Sequence, residues 1–250
     1  MYALRLTESY SPAQADEPLH DTTVGSVLRE AAATSPASTA LVEAGADGVL
    51  RRSWTYGELL AESEGLAQAL LTRFEPGERI AVWAPNVPEW VIAEFGLALA
   101  GLVLVTVNPG YQPRELRYVL EQSRAVGLLL IGEYRGNPMA RIAAEVVADI
   151  PAIREVVDLE DHAALFRMAG PARPLPTVSP RDEVQIQYTS GTTGFAKGVV
   201  LHHHGITNNA RLGFARMGMP RGATTLAIMP CFTPAAAAWR CWAQCSLAAG

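Results

Sequence analysis

The stretch that decides the fold runs from Arg79 to Val107 and reads RIAVWAPNVPEWVIAEFGLALAGLVLVTV. Arg79–Trp83 and Leu102–Val107 are short, largely apolar runs, which is typical of strands buried on both faces of a sheet. Between them, Pro88 indicates the start of a helix and Gly101 indicates its end. Strand, helix and strand in this order predict a parallel βαβ unit.

The same alternation continues on both sides of this unit. Thr55 and Glu58 have the spacing of a capping box, and the leucines that follow predict a helix to about Phe74. Further helices are predicted over Pro113–Ser123 and Arg141–Ala148, and further strands over Val126–Ile131 and Arg154–Leu159. We therefore predict an α/β fold in which helices cover a mainly parallel sheet.

Proline and glycine divide the chain into four predicted segments. Residues 1–20, with two prolines and several acidic residues, are expected to be a poorly ordered lead-in to a first α/β subdomain over residues 21–169. Residues 170–182 contain four prolines and predict an extended linker. Residues 183–250 then form the start of a second subdomain.

Composition excludes several classes of protein. Charged residues are 18% of the chain against a usual share of roughly 25%, so a disordered chain is not expected. The net charge of −5 favours neither nucleic acid nor an anionic membrane as a partner. Three cysteines, the absence of a secretory signal pattern and apolar runs too short to span a bilayer predict a cytoplasmic protein without transmembrane segments.

The segment Thr189–Gly198 reads TSGTTGFAKG and holds the candidate chemistry. Its hydroxyls, its glycines and Lys197, the only lysine beside 19 arginines, suit a phosphate group that needs hydrogen-bond donors and a compact positive charge. A Walker loop is excluded because Lys197 precedes Gly198 and a strand follows. Composition alone leaves a phosphate-binding loop and a simple hairpin turn equally open.

The segment Ile186–Lys197 resembles the signature of the adenylate-forming acyl ligases, except for Ala196, where most members carry proline. The similarity covers about residues 24–230. Among the members of the family, the sequence most resembles the fatty-acyl-CoA synthetases. Its other matching stretches are Trp54–Leu59, Pro85–Trp90, Val107–Tyr111 with Glu115 and Leu116, Asp182–Tyr188, and Leu201–Asn209.

This resemblance implies that the chain is the N-terminal part of a ligase that catalyses a two-step reaction. A carboxylate, expected to be a fatty acid, attacks the α-phosphate of ATP to give an acyl-adenylate, and coenzyme A then takes the acyl group. By position, the residues implied to hold the β- and γ-phosphates are Thr189, Ser190, Gly191, Thr192, Thr193, Gly194 and Lys197, with Thr189 near Mg²⁺. Two alternatives remain: an aryl-acid ligase or peptide-synthetase adenylation domain, and a non-catalytic remnant.

Other polar residues invite a catalytic interpretation that the sequence does not favour. Glu89 and Glu115 each lie near a predicted helix start, where a carboxylate is stabilised by the helix dipole. Three successive histidines, 202–204, cannot all face one metal ion because neighbouring side chains point in different directions. His204 stands where the resembling ligases usually have arginine, and we interpret it as a solvated substitution.

The last residues depart from the family pattern. After Pro230 the resembling ligases continue Leu-Phe-His-Thr-Gly-Gly, whereas this chain has Cys231 onward. Moving the reading frame of back-translated 231–245 by one base restores that continuation, so a frameshift is one hypothesis and a divergent apolar tail is the other. The family's adenine and ribose contacts and its catalytic lysine lie beyond residue 250, so no catalytic residue is assigned, and these 250 residues alone are expected to be an inactive fragment.

Overall fold

The computed structural model describes residues 17–45, 47–189, 196–220, 222–223, 225–227 and 229–233. Helices and strands alternate along most of this part of the chain. The helices are α1 (Val24–Thr34), α2 (Tyr56–Leu71), α3 (Pro88–Leu99), α4 (Pro113–Ser123), α5 (Met139–Val147), α6 (His162–Leu165) and α7 (His203–Arg216). The strands are β1 (Thr39–Ala44), β2 (Leu50–Thr55), β3 (Arg79–Trp83), β4 (Val103–Val107), β5 (Gly127–Leu130), β6 (Glu155–Asp158), β7 (Glu183–Thr189) and β8 (Lys197–His202).

A six-stranded sheet forms the centre of the fold, in the order β6-β5-β3-β4-β7-β8. Five of these strands are parallel, and only β8 runs antiparallel to its neighbour β7. β1 and β2 form a separate antiparallel hairpin. The predicted α/β fold with a mainly parallel sheet is therefore confirmed.

Local signals explain where the helices begin. At the start of α2 the Thr55 hydroxyl accepts a hydrogen bond from the Glu58 N–H at 3.2 Å, and the Glu58 carboxylate accepts one from the Thr55 N–H at 2.8 Å. Pro88 opens α3 at a position where its missing N–H has no partner to lose. Gly101 follows α3 with φ +67°, a conformation that favours glycine. The capping box and the βαβ unit predicted from sequence are confirmed.

Helices cover both faces of the sheet because consecutive strands are added in opposite directions. From β3 the chain moves to β4 on one side, and from β4 it crosses back to β5 on the other. Right-handed crossovers then place α3 and α4 on opposite faces. α3 packs with α1 and α2, whereas α4 packs with α5. The strand order therefore reverses between β3 and β4, and open α/β sheets usually bind ligands at the carboxyl ends of the strands beside such a reversal.

The proline-rich segment 170–182 crosses the sheet without adding regular structure. It leaves β6 at one edge and leads to β7, which pairs with β4 on the other side of β3. A Cβ atom at Gly101 would lie 3.4 Å from Pro176, so the segment passes close to the end of α3. Residues 170–182 thus join two strands of one sheet, and the predicted division into subdomains at this segment stays a prediction.

The described end of the predicted lead-in is bonded to α7. The Asn208 amide donates to the carbonyl oxygen of His20 at 2.8 Å and accepts from the His20 N–H at 2.9 Å. Arg211 pairs with Glu17 at 3.0 Å and also donates to the carbonyl oxygen of Pro18. Residues 1–16 of that lead-in lie outside the described residues. No helix in the described part of the chain has the length and hydrophobicity needed to cross a lipid bilayer.

Candidate phosphate-binding site

The candidate site lies where β7 ends and β8 begins. Thr189, the last residue of β7, is paired with Lys197, the first residue of β8, across the antiparallel ladder. Thr189 lies at the carboxyl end of β7, which is parallel to β4. Thr189 and Lys197 are described; Ser190, Gly191, Thr192, Thr193 and Gly194, which were predicted with them, lie outside the described residues.

Thr189 and Lys197 lie on the same face of the hairpin and are both exposed. Directly opposed residues of an antiparallel pair have Cα atoms roughly 5 Å apart and side chains on one side of the sheet. A hydroxyl and an ammonium group at this spacing can bind oxygen atoms of a single anion. The structure therefore brings together the two described residues of the predicted phosphate loop.

The opposite face of the hairpin packs against α4. Tyr118 of α4 donates a hydrogen bond from its hydroxyl to the carbonyl oxygen of Ala196 at 2.9 Å. The single hydroxyl proton of Tyr188 in β7 is donated to the side-chain oxygen of Gln122, and the carbonyl oxygen of Val119 is a second, more distant acceptor at 3.3 Å. Burial raises the pKa of Tyr188 to about 12, so its hydroxyl keeps its proton and remains a donor at neutral pH.

Asn86 anchors a second segment at the same edge of the sheet. Its amide nitrogen donates to the carbonyl oxygens of Ala227 and Met229 at 3.1 and 3.0 Å, and its amide oxygen accepts from the Cys231 N–H at 2.7 Å. Asn86 is the third residue after β3 and lies in the loop that leaves the carboxyl end of this parallel strand. It fixes the backbone just before the point where the sequence departs from the resembling ligases.

The two candidate carboxylates have structural partners. Glu89, in the first turn of α3, lies 2.6 Å from a guanidinium nitrogen of Arg52, which also binds Glu43. These hydrogen bonds, the one to Glu43 first, raise the pKa of Arg52 above its ordinary value. Glu115, in the first turn of α4, accepts the N–H of Gln112 at 2.8 Å. Glu115 thus caps α4, whereas Glu89 joins the first turn of α3 to β2.

The three successive histidines have three different partners. His202 caps α7 and accepts the Gly205 N–H at 2.9 Å, whereas the buried His203 accepts the Val24 N–H at 3.1 Å. The Nδ1 atom of His204 lies 2.9 Å from a carboxylate oxygen of Asp21, and its side chain is only 11% exposed. The interpretation of His204 as a solvated substitution is therefore wrong, because α7 turns this imidazole toward the bound N-terminal segment.

Other features of the described residues do not compete with this site. A cavity of about 360 Å³ lies between α1, the end of α3 and residues 175–178, and contains neither Thr189 nor Lys197. We regard it as a packing gap along the proline-rich segment. Among the described residues, no three histidine, cysteine or carboxylate side chains are grouped as metal ligands.

Comparison with known proteins identifies the family. The sequence pattern of the AMP-binding enzymes matches residues 28–250. The chain belongs to the AMP-binding enzyme family. Within this family it is 30% identical over 216 residues to the putative acyl-CoA synthetase YngI of Bacillus subtilis, covering 75% of this chain and 39% of YngI. It is 30% identical over 245 residues to the mitochondrial medium-chain acyl-CoA ligase ACSF2 of Mus musculus, covering 85% of this chain and 38% of ACSF2.

A solved structure shares this architecture. The complex of VinN with 3-methylaspartate superposes with a TM-score of 0.76 at 25% identity, covering 92% of this chain and 61% of VinN. The chain thus spans about two fifths of the length of the two sequence relatives, from their N-terminal part. The predicted membership of the adenylate-forming ligases is confirmed.

Two residues of this site were not predicted from the sequence. Asn86 carried a usable signal, because a polar residue in the loop after a buried parallel strand lies at the end of the sheet where ligands are usually bound. Tyr118 carried none, since its partner Ala196 is 78 positions away in sequence and nothing local indicates the contact.

Proposed function

We propose that the β7–β8 hairpin of this AMP-binding enzyme binds the β- and γ-phosphates of ATP. A protein of the relatives' length would use this site to activate a carboxylic acid as an acyl-adenylate and then transfer the acyl group to coenzyme A. The observation that supports the proposal is the pairing of Thr189 with Lys197 on one exposed face at the carboxyl edge of the sheet. The complete reaction is proposed for the longer protein, and phosphate binding for these 250 residues.

The two described residues supply complementary interactions with phosphate. The Lys197 ammonium is a compact positive charge that would offset the charge developing on the departing pyrophosphate. The Thr189 hydroxyl would donate a hydrogen bond to a phosphate oxygen or contribute an oxygen ligand to Mg²⁺. Mg²⁺ usually binds phosphates together with one or two protein oxygen atoms, and the exposed Thr189 hydroxyl fits that preference. By family pattern, the residues between them complete the phosphate contacts.

For the acid substrate we propose a fatty acid. The mouse relative is named as a medium-chain acyl-CoA ligase, which supports this class. The alternatives are an aryl acid and the amino acid of a peptide-synthetase adenylation domain. VinN, whose structure holds 3-methylaspartate, supports only the amino acid. A cytoplasmic location remains part of the proposal.

Titration of the 250-residue chain with magnesium pyrophosphate in a calorimeter tests the phosphate site. We expect binding that Lys197→Ala weakens by roughly ten- to a hundredfold, the factor for loss of one charge-assisted hydrogen bond. Arg29→Ala, which removes a positive charge on α1 that is paired with Glu64, is the matched control. Equal affinities for the wild type and Lys197→Ala would refute the site.

A further inference from the structure

One face of α4 contacts both strands that lead into the candidate phosphate site. Tyr118 and Gln122 are four residues apart on α4 and therefore lie one above the other on the same side of the helix. Tyr118 reaches the start of β8, and Gln122 reaches the end of β7 through Tyr188. A single turn of α4 thus bonds to both sides of the hairpin.

On the β8 side, the contact is made to the main chain. The Tyr118 hydroxyl lies 2.9 Å from the carbonyl oxygen of Ala196, the residue directly before Lys197. This carbonyl belongs to the peptide bond whose nitrogen is that of Lys197, so the hydrogen bond restrains the Lys197 main chain. Because the bond is formed to a backbone atom, it does not depend on the side chain at position 196.

On the β7 side, Tyr188 and Gly198 allow α4 to come close. Tyr188 and Gly198 are paired across the ladder, and a Cβ atom at Gly198 would lie 3.1 Å from Gln122 Oε1 and 3.2 Å from Tyr188 Cζ. Only glycine leaves this space without moving a neighbour. The hydrogen bond from the Tyr188 hydroxyl to Gln122 then fixes the residue directly before Thr189.

We propose that Tyr118 is a positioning residue for the phosphate site: by binding the Ala196 carbonyl it fixes the main chain from which Lys197 extends. The inference rests on the proposed function, because the position of Lys197 matters only if Lys197 binds phosphate. Tyr118 itself does not touch the phosphates, because strand alternation puts the Lys197 side chain on the face of the hairpin that is turned away from α4. Its effect passes through the backbone.

The test compares Tyr118→Phe with Tyr134→Phe in the 250-residue chain. Both variants remove one tyrosine hydroxyl, but the half-buried Tyr134 lies beyond β5 and its ring contacts Arg135 rather than the hairpin. We expect Tyr118→Phe to weaken magnesium pyrophosphate binding about fivefold, the factor for one hydrogen bond, and Tyr134→Phe to leave it unchanged. We also expect faster amide hydrogen exchange at Lys197 and Gly198 in Tyr118→Phe only.

A merely structural role of Tyr118 has a different signature. It would speed exchange throughout the sheet, including β3 and β4, and would not change pyrophosphate affinity far below the unfolding temperature. That result, or affinity and exchange equal to those of Tyr134→Phe while Lys197→Ala still weakens binding, overturns the inference and leaves the proposed function standing. A wild-type chain that does not bind pyrophosphate refutes the proposed function and, with it, the purpose assigned to Tyr118.

Discussion

Acid should destabilise this chain through His203, a buried imidazole at the start of α7. Its side chain is 1% exposed, and its Nδ1 atom accepts the N–H of Val24 at the start of α1. Burial lowers the pKa of His203 from 6.5 to about 4, with Asp182 opposing and His202 adding to the shift. Protonation of Nδ1 would also replace the acceptor that holds Val24. In the folded chain the imidazole therefore stays neutral to well below pH 6.

The sign and size of the effect follow from linkage. In the unfolded chain His203 takes up a proton as the pH falls below about 6.5, whereas in the folded chain it does so only near 4. Stability from this group is complete above pH 6.5 and is lost as the pH falls toward 4. The difference of 2.5 between the values 6.5 and 4 corresponds to about 3 kcal/mol.

Urea unfolding of the wild type and His203→Asn at pH 7, 6, 5 and 4.5 measures how much the titration of His203 changes the unfolding free energy. Asparagine offers Val24 an acceptor oxygen but does not titrate. Because asparagine is smaller than histidine and loses packing contacts, the variant is less stable than the wild type at pH 7. We expect the gap between the two unfolding free energies to shrink by roughly 1.4 kcal/mol per pH unit below 6.5.

His162→Asn removes an imidazole from the exposed one-turn helix α6 and serves as the matched control. Parallel curves for the wild type and His203→Asn over the whole pH range would refute the reasoning. A measured His203 pKa near 6.5 in the folded chain would refute it equally.

Four further predictions follow from the sequence and the site. In a protein of the relatives' length, Lys197→Ala should slow ATP–pyrophosphate exchange about a hundredfold. It should change the unfolding free energy by no more than roughly 0.5 kcal/mol. Lys197→Arg should restore only part of the exchange rate. Asn86→Ala should cost about 1 kcal/mol of stability and speed proteolysis of the backbone it binds; unchanged cleavage there would contradict its anchoring role. Gly101→Ala should cost roughly 1–2 kcal/mol in thermal unfolding because of its positive φ, whereas Gly132→Ala, which meets no atom within 4 Å, should be neutral. The nucleotide sequence should show single-base changes near codons 231 and 245 relative to an intact ligase gene; the same amino acids in close relatives would exclude the frameshift.

Local signals predicted the parallel part of the fold well. The bounds of β3 and α4 agree with the sequence pattern to the residue, because a proline, a capping box or a buried strand marks each of them. The hairpin of β1 and β2 was missed. β2 is exposed along four of its six residues and so lacks the alternation of apolar and polar side chains that indicates a strand.

The arrangement of the site could be predicted only in part. The residue types around Lys197 indicated a phosphate, but the order of strands that brings β7 beside β4 depends on pairing between residues 81 positions apart. The contacts of Tyr118 with Ala196 and of His204 with Asp21 also join residues that are far apart in sequence. Such contacts leave no local periodicity, so a single sequence does not reveal them.

The order of strands also determines when each strand can pair while the chain is being synthesised on the ribosome. The four strands β3 to β6 come from one continuous stretch, Arg79 to Asp158, and can pair as soon as that stretch has emerged. β7 begins about 25 residues later, which takes roughly one to five seconds of synthesis. All residues of β4 are buried in the finished fold. During this interval β4 has β3 on one side but no strand on the side that β7 later occupies. An uncovered apolar edge is a template for pairing with other chains, so aggregation and chaperone binding should be greatest in nascent chains of this length.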